Sequence, residues 1–575
     1  MNRLSSLILI IGCLLGAQTL KAQLIQTVKA LPVKMVTFKV QTDPSSILET
    51  DMYFTDTSAP MPVILMRTPY PRRQYTGLAR FFSSKGYIMV VQSVRGSGGS
   101  TGQMVPFINE TKDGLAMLDY LEKQPWCNGK VGMYGASYAG FSAITLGNTG
   151  HKTLKAIVSL SGWSIPNITA YPNGVNHLML NIPWMLFNFS QGKLIPGRYN
   201  ADSLLQTLPI YQMFKMAGVP VPFDQMEEPV KLFNKDFSYK DFSVPIMQVA
   251  GAYDFTKEST LSIYDSLRKY NKPQTMVFGP WIHDQLFSGA KNVGDHVLPN
   301  NQVGYGDTIL QQSVAWFNRY LKDQTNDQSS QPGTYRLFPV WGDSSGMLFQ
   351  RYPEERIQTK TWYLQKSKSN QSAQNTGDLS SKNSKNIAEM SFTSDPYKPV
   401  PTNGGANFHM FPEKNGVRDQ SAMTSRTDVL LFTSEALNQD MFLIGKAGLR
   451  LFGSWKGKDC DFTAKILAVD PENHAWIMSD AIARMSLASK IPTNQKDAAG
   501  NNIYGFDLDL GHMNFMLKKG WKIRIEVAGS NFPKYERNAG TGENSTLATS
   551  LQAVQQSVWT GKLFDSYLTL ETFKK

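Results

Sequence analysis

The chain has 575 residues, enough for two or three domains, and its 41% hydrophobic and 11% aromatic content excludes a disordered or fibrous protein. Its formal charge of +12 is thinly spread, with only short basic runs such as that from Lys382 to Lys385, so it implies a basic solvated surface and not nucleic-acid binding. There are three cysteines and no CxxC, HxxH or HExxH spacing, so neither a metal site nor any other cofactor is expected.

Residues 1–22 have the pattern of an export signal: Arg3 at the start, an apolar run from Leu7 to Leu15, and a cleavage site at Leu20-Lys21-Ala22 before Gln23. An alternative is a lipoprotein signal, since Gly12 precedes Cys13. The apolar run is short for a membrane span, and no other stretch approaches one. The expected protein is therefore periplasmic or secreted, with a charge of +10 once Arg3 and Lys21 are removed. Cys127 and Cys460 then remain, and they lie in different expected domains, which argues against a disulfide.

Residues 35–42 and 48–55 predict a hairpin at a sheet edge, and 62–66 a short apolar strand that ends in Arg67-Thr68-Pro69-Tyr70. A helix over 76–85 and a buried strand over 87–91 follow. The loop from Arg95 to Gly102 is rich in glycine, but no Lys-Ser/Thr follows it and no helix opens on it. It reads as a tight loop at strand ends and not as a phosphate cradle. An amphipathic helix over 110–123 carries Leu115, Leu118 and Leu121 on one face. The stretch from Lys130 to Phe141 reads as strand, sharp turn and helix start. Gly135 and Gly140 flank the turn and Ser137 sits at its apex. A strand over 156–160 completes an alternation that marks a largely parallel, doubly wound α/β sheet.

The alternation then breaks. Residues 163–240 carry aromatics, Met and Pro in helix-like patches (178–187 and 204–216), as expected of a helical cap over the C-terminal ends of the strands. Strands over 244–251 and 274–279, with a helix over 258–269 between them, resume the sheet, and a helix over 308–321 closes the domain. From 334 onward, alternating runs such as 334–340, 360–364, 429–433, 464–469 and 522–528 predict an all-β region, most simply a sandwich. Within it, the Ser/Asn/Lys-rich residues 365–389 read as a mobile surface loop.

A serine hydroxyl becomes a nucleophile when a histidine takes its proton, and a carboxylate holds that histidine in the right tautomer. On an α/β-hydrolase sheet these groups follow strand ends in the order Ser, Asp, His. Ser137, Asp254 and His283 satisfy that order, each just past a strand. His151, His177, His296, His409, His474 and His512 fit less well by position. Oxyanion donors are expected from the Tyr138 backbone N–H and from Tyr70 after the 62–66 strand. The usual G-x-S-x-G is imperfect here, since Ala139 takes its last position and Gly140 comes one residue later.

These pieces together resemble one family: Arg67-Thr68-Pro69-Tyr70, the Arg95-Gly96 loop with Ser100 and Gly102, Gln124-Pro125-Trp126-Cys127-Asn128-Gly129-Lys130-Val131-Gly132, Gly135-Ala136-Ser137-Tyr138-Ala139-Gly140, Ala252-Tyr253-Asp254 and Gly279-Pro280-Trp281-Ile282-His283. The family is that of the CocE/NonD-type serine hydrolases, with cocaine esterases, α-amino-acid ester hydrolases, glutaryl-cephalosporin acylases and X-prolyl dipeptidyl peptidases. Its own elbow is G-x-S-Y-x-G. The resemblance is strong over about 35–330 and weaker beyond, where Thr361-Trp362-Tyr363-Leu364 is similar to the start of the family's C-terminal jelly roll. It implies a catalytic domain over 23–333, a jelly-roll β-sandwich over 334–575, and a hydroxyl from Tyr70 in the oxyanion hole. It also implies a small ester, amide or short-peptide substrate and is compatible with a homo-oligomer. The α-amino-acid ester hydrolases carry an acidic pair two and three residues after the triad Asp, where this chain has Thr256 and Lys257. That speaks against an ammonium-bearing substrate and allows Lys257 either to meet an acyl carboxylate or to face solvent. The expected activity is hydrolysis of esters or amides through an acyl-enzyme. The alternatives are an X-prolyl dipeptidyl aminopeptidase and a non-catalytic carbohydrate-binding protein on a hydrolase scaffold.

Overall fold

Strands buried at every position form the middle of the N-terminal half, as a parallel sheet covered on both faces requires. The computed structural model describes residues 32–163, 170–189, 205–216, 237–286, 289–299, 302, 307–367, 375–408 and 414–574. The proposed signal segment, Cys13 and His409 lie outside these residues.

A ten-stranded mixed sheet organises this half. Its elements in chain order are β1 (Lys34–Asp43), β2 (Ser46–Phe54), β3 (Met61–Thr68), α1 (Thr76–Ser84), β4 (Ile88–Ser93), α2 (Glu110–Glu122), β5 (Cys127–Ala136), α3 (Tyr138–Ile144) and β6 (Leu154–Leu160). After β6 come α4 (Leu178–Phe189), α5 (Gln212–Met216), β7 (Ile246–Tyr253), α6 (Lys257–Lys269), β8 (Gln274–Ile282), a two-stranded ribbon of β9 (Asn292–Val293) and β10 (His296–Val297), and α7 (Asp307–Leu321). The strand order is β1-β2-β4-β3-β5-β6-β7-β8, followed by β11 (Tyr335–Leu337) and β12 (Met347–Phe349). Every pairing from β4 to β11 is parallel, and the edge hairpins are antiparallel. β4, β7 and β8 are buried throughout. The helices cover the sheet through apolar stripes, such as Leu78, Ala79 and Phe82 of α1 and Met117, Leu118 and Leu121 of α2.

The Gly-rich loop binds itself and the edge hairpin. Gly96 N–H donates to Thr101 C=O (3.1 Å), Thr101 N–H to Ile47 C=O (2.9 Å), and the Ser100 hydroxyl to Ser93 C=O (2.9 Å). A Cβ at Gly99 would lie 2.3 Å from the Glu49 carboxylate, so the loop is packed and forms no anion cradle.

Two expectations are corrected. Tyr335–Leu337, read as the opening of the all-β region, instead pairs parallel with β8 and extends the N-terminal sheet. Part of 365–389 is ordered strand: β13 (Ile357–Lys366) and β14 (Thr376–Ser380) pair, and β14 also pairs with β16 (Val429–Ser434). The polar composition misleads there because a half-exposed strand is satisfied by backbone pairing and needs few apolar side chains.

The C-terminal half is all β. Its strands also include β15 (Ala388–Ser394), β17 (Met441–Lys456), β18 (Asp461–Val469), β19 (Ala475–Arg484), β20 (Ile491–Lys496), β21 (Asn502–Leu517), β22 (Lys522–Ala528), β23 (Val554–Thr560) and β24 (Tyr567–Phe573). The long antiparallel pair β17–β21 is its spine. One hydrophobic cluster runs without interruption from Tyr253 and Trp281 of the N-terminal sheet to Phe515 and Leu568 of the all-β half. Cys127 and Cys460 are both buried and unbridged. No helix among the described residues is long and apolar enough to cross a membrane.

Candidate active site

β5 ends in a turn so tight that only small residues fit around it. Ser137 adopts φ 55°, ψ −122°, a strained conformation that lifts its side chain clear of the strand. A Cβ at Gly135 would lie 2.1 Å from the carbonyl oxygen of Ala139, and one at Gly140 would lie 2.9 Å from Ser159 Oγ and 3.1 Å from Gly162 Cα. The close approach thus falls on residue 140 and not on residue 139, which accounts for the shifted glycine.

The next three strand ends bring Ser161, Asp254 and His283 together. Ser137 N–H donates to Leu160 C=O (2.9 Å), tying the elbow to the end of β6. The following residue, Ser161, donates its hydroxyl to Asp254 Oδ2 just beyond β7. Asp254 is fully buried, and both of its carboxylate oxygens face His283 Nδ1, at 3.0 and 3.1 Å. Thr256 adds its N–H (2.8 Å) and its hydroxyl (3.0 Å) to Asp254 Oδ1. Burial opposes the charge on Asp254, but His283 and these donors outweigh it and hold the carboxyl below its ordinary range. Burial likewise opposes the imidazolium, but Asp254 outweighs it and raises the His283 pKa. Asp284, next to it, is pushed up to about 6 by burial.

Rings close around this centre. Phe255 lies 4.3 Å from the His283 ring between centroids, and Phe408 of the all-β half lies 5.2 Å from Phe255. Near the elbow, Phe107 stacks on Tyr138 (5.1 Å) and on Trp184 of α4 (5.7 Å). The Tyr138 hydroxyl is engaged elsewhere: it accepts from Phe107 N–H (3.1 Å) and donates to the buried Glu110. Only the backbone of Tyr138 is therefore available to a substrate. Tyr70 accepts a hydrogen bond from the Trp184 indole (3.3 Å), and burial raises its pKa. A phenol kept neutral in this way can donate.

Lys257 takes neither of the two places the sequence allowed it. Lys257 meets neither substrate nor solvent: it is buried and donates to His512 C=O (3.0 Å) in the all-β half. The sequence omits this because the partner is more than 250 residues away. Reading the sequence also missed Ser161, Trp184, Glu110 and Phe408. Ser161 follows the strand next to the elbow and was within reach of strand-end reasoning; the others carry no local signal. Among the other histidines, His151 pairs with Asp119, His474 with Asp470, and His512 with Glu258 and Asp265.

The profile of the X-Pro dipeptidyl-peptidase (S15 family) matches residues 46–285, and that of the X-Pro dipeptidyl-peptidase C-terminal non-catalytic domain matches residues 330–569. The chain belongs to this family of serine hydrolases. It is 28% identical to the cocaine esterase of Rhodococcus sp. (strain MB1 Bresler) over 534 residues, covering 86% of this chain and 90% of the relative. It shares its fold with an α-amino acid ester hydrolase (TM-score 0.78, 21% identity, 96% of this chain and 99% of that one). The same holds for an aminopeptidase from a marine sediment archaeon, Thaumarchaeota archaeon (TM-score 0.75, 21% identity, 96% and 99% covered).

Proposed function

We propose that this S15-family hydrolase cleaves esters or amides of small acyl substrates through an acyl-enzyme on Ser137. His283 takes the Ser137 proton and returns it to the leaving group, and Asp254 orients His283 and stabilises its cation. Tyr138 N–H and the Tyr70 hydroxyl bind the oxyanion of the tetrahedral intermediate. The observation that carries this reading is the two-oxygen contact of buried Asp254 with His283 Nδ1, linked through the Ser161 hydroxyl to the strand end that holds the strained Ser137 elbow.

A small apolar or aromatic ester suits the site best. Phe255 and Phe408 flank His283, and Phe107 and Trp184 pack at the elbow. The turn after Asp254 offers no free carboxylate to an ammonium group. Thr256 is spent on Asp254, and Glu258 on Lys257 and His512. The extensive match to a relative named cocaine esterase supports the same reading. An X-prolyl dipeptidyl aminopeptidase is the second reading, supported by the family profile's description.

The test compares the protein from Gln23 onward with its Ser137→Ala variant on a small acyl nitrophenyl ester and on a Gly-Pro anilide. Ester turnover lost in the variant is expected. Rapid anilide turnover, lost likewise, would establish the second reading, and turnover of either substrate surviving in the variant would overturn the assignment of the nucleophile.

A further inference from the structure

The turn that carries Asp254 is gripped from both sides by the all-β half. Before it, Tyr253 donates its hydroxyl to Ile477 C=O of β19 (2.7 Å), and its ring packs on Phe515 of β21 (5.7 Å). After it, Lys257 N–H donates to Asp254 C=O (3.0 Å), while the Lys257 ammonium reaches His512 C=O of β21 (3.0 Å) and Ser479 Oγ of β19 (3.5 Å). Glu258 continues the contact: its Oε1 accepts His512 N–H (2.9 Å) and its Oε2 faces His512 Nδ1 (2.7 Å). The other ring nitrogen, Nε2, faces Asp265 Oδ2 two turns further along α6 (3.3 Å). A carboxylate on each ring nitrogen requires both to carry hydrogen, so the geometry calls for an imidazolium. The fit leaves no slack, since a Cβ at Gly511 (φ +76°) would lie 2.1 Å from Glu258 Oε1.

We propose that His512, from the half described as non-catalytic in the family, is a positioning residue for the reaction: as an imidazolium it cross-links Glu258 and Asp265 and so fixes the start of α6 and the Asp254 turn before it. This rests on Asp254 acting through His283 as above. The groups facing His512 are Glu258, Asp265 and Lys257 on α6. Arg268 of α6 pairs with Asp265 (3.5 Å), and Lys446, opposite His512 on β17, adds its charge at Asp265. The net field of the two carboxylates keeps the cation. Burial alone would lower its pKa, but Glu258 and Asp265 outweigh it and bring it to about 9. Loss of the proton removes one of the two hydrogen bonds and leaves a half-buried carboxylate facing a lone pair.

The experiment measures the rate of Ser137 labelling by a fluorophosphonate from pH 6 to pH 10.5 in the wild type, His512→Asn, Glu258→Gln and Ser137→Ala, with the folded fraction checked by circular dichroism. The wild-type rate is expected to fall on the alkaline side near pH 9. His512→Asn is expected to label about 10- to 100-fold more slowly with that alkaline limb gone, a size set by displacement of a catalytic group by a fraction of an ångström to one ångström. Glu258→Gln removes one carboxylate, so its limb is expected to move toward neutral pH by about one unit. A wild type with no alkaline limb, an unshifted limb in Glu258→Gln, or a folded His512→Asn that labels like the wild type would overturn the proposal. If His512→Asn fails to fold, the wild-type and Glu258→Gln limbs decide. Labelling that persists in Ser137→Ala would instead overturn the nucleophile assignment, whatever His512 does.

Discussion

Replacing Gly135 by alanine tests the elbow most sharply. The new Cβ would lie 2.1 Å from Ala139 O, 2.2 Å from Ala139 C and 2.6 Å from Gly140 N. All three are backbone atoms of the first turn of α3, so no side chain can rotate away. Relief to an ordinary contact requires that turn to retreat by about 1 Å, at a cost of about 1–3 kcal/mol in stability for an overpacked site. The same turn holds Ser137 and Tyr138 N–H, and a displacement of about 1 Å in a catalytic constellation costs on the order of 100-fold in rate. The expected result is a kcat/KM for the nitrophenyl ester reduced about 100-fold, in a protein that melts only a few degrees lower. Gly77→Ala is the control: nothing lies within 4 Å of its added Cβ, and it sits in the first turn of α1. It is expected to keep full activity and to gain up to about 1 kcal/mol. A Gly135→Ala enzyme within threefold of wild type, or one whose loss equals its unfolded fraction, would refute the reasoning.

The other outcomes follow from the charges around His283. Asp254→Asn should lower kcat about 10,000-fold, because an amide selects the wrong imidazole tautomer; Ser161→Ala, which removes a donor to Asp254, should cost about 10- to 100-fold, since a hydrogen bond to a charged group contributes about 1.5–3 kcal/mol. Stopped-flow turnover checks both, and equal losses in the two variants would contradict the assigned roles. The proposed base, His283, must be neutral, so kcat/KM should be lost as pH falls through a His283 pKa that lies above the ordinary imidazole value. Asp284 helps to raise that pKa, so Asp284→Asn should move the acid limb downward, and an unmoved limb would show that Asp284 is screened from His283. His512 has a folded pKa of about 9, above its unfolded value near 6.5. Its contribution to stability is therefore complete below about pH 6.5 and lost as pH rises through about 9. The melting temperature should fall over that interval in the wild type and stay flatter in His512→Asn.

The sequence by itself determined much of this protein. Period and burial in short apolar runs placed β3 to β8, because a central parallel strand must be apolar along its whole length. The glycines at 135 and 140, with Ser137 between them, marked the elbow, because backbone contact under 3 Å excludes any side chain. Chain order alone brought Asp254 and His283 to neighbouring strand ends, since parallel strands connected in sequence end on one edge. Tertiary structure decided what those residues touch. Lys257 looked free to meet substrate or solvent, and only the packing of β19 and β21 against α6 shows it spent on His512. The Ser161 hydroxyl on Asp254, the Trp184 indole on Tyr70 and the Phe408 ring beside Phe255 depend on segments distant in sequence. Strand Tyr335–Leu337 joined the catalytic sheet because β8 had an open edge, which three alternating residues cannot announce. Local pattern reports which way a side chain faces; which partner meets it is decided by the path of the whole chain.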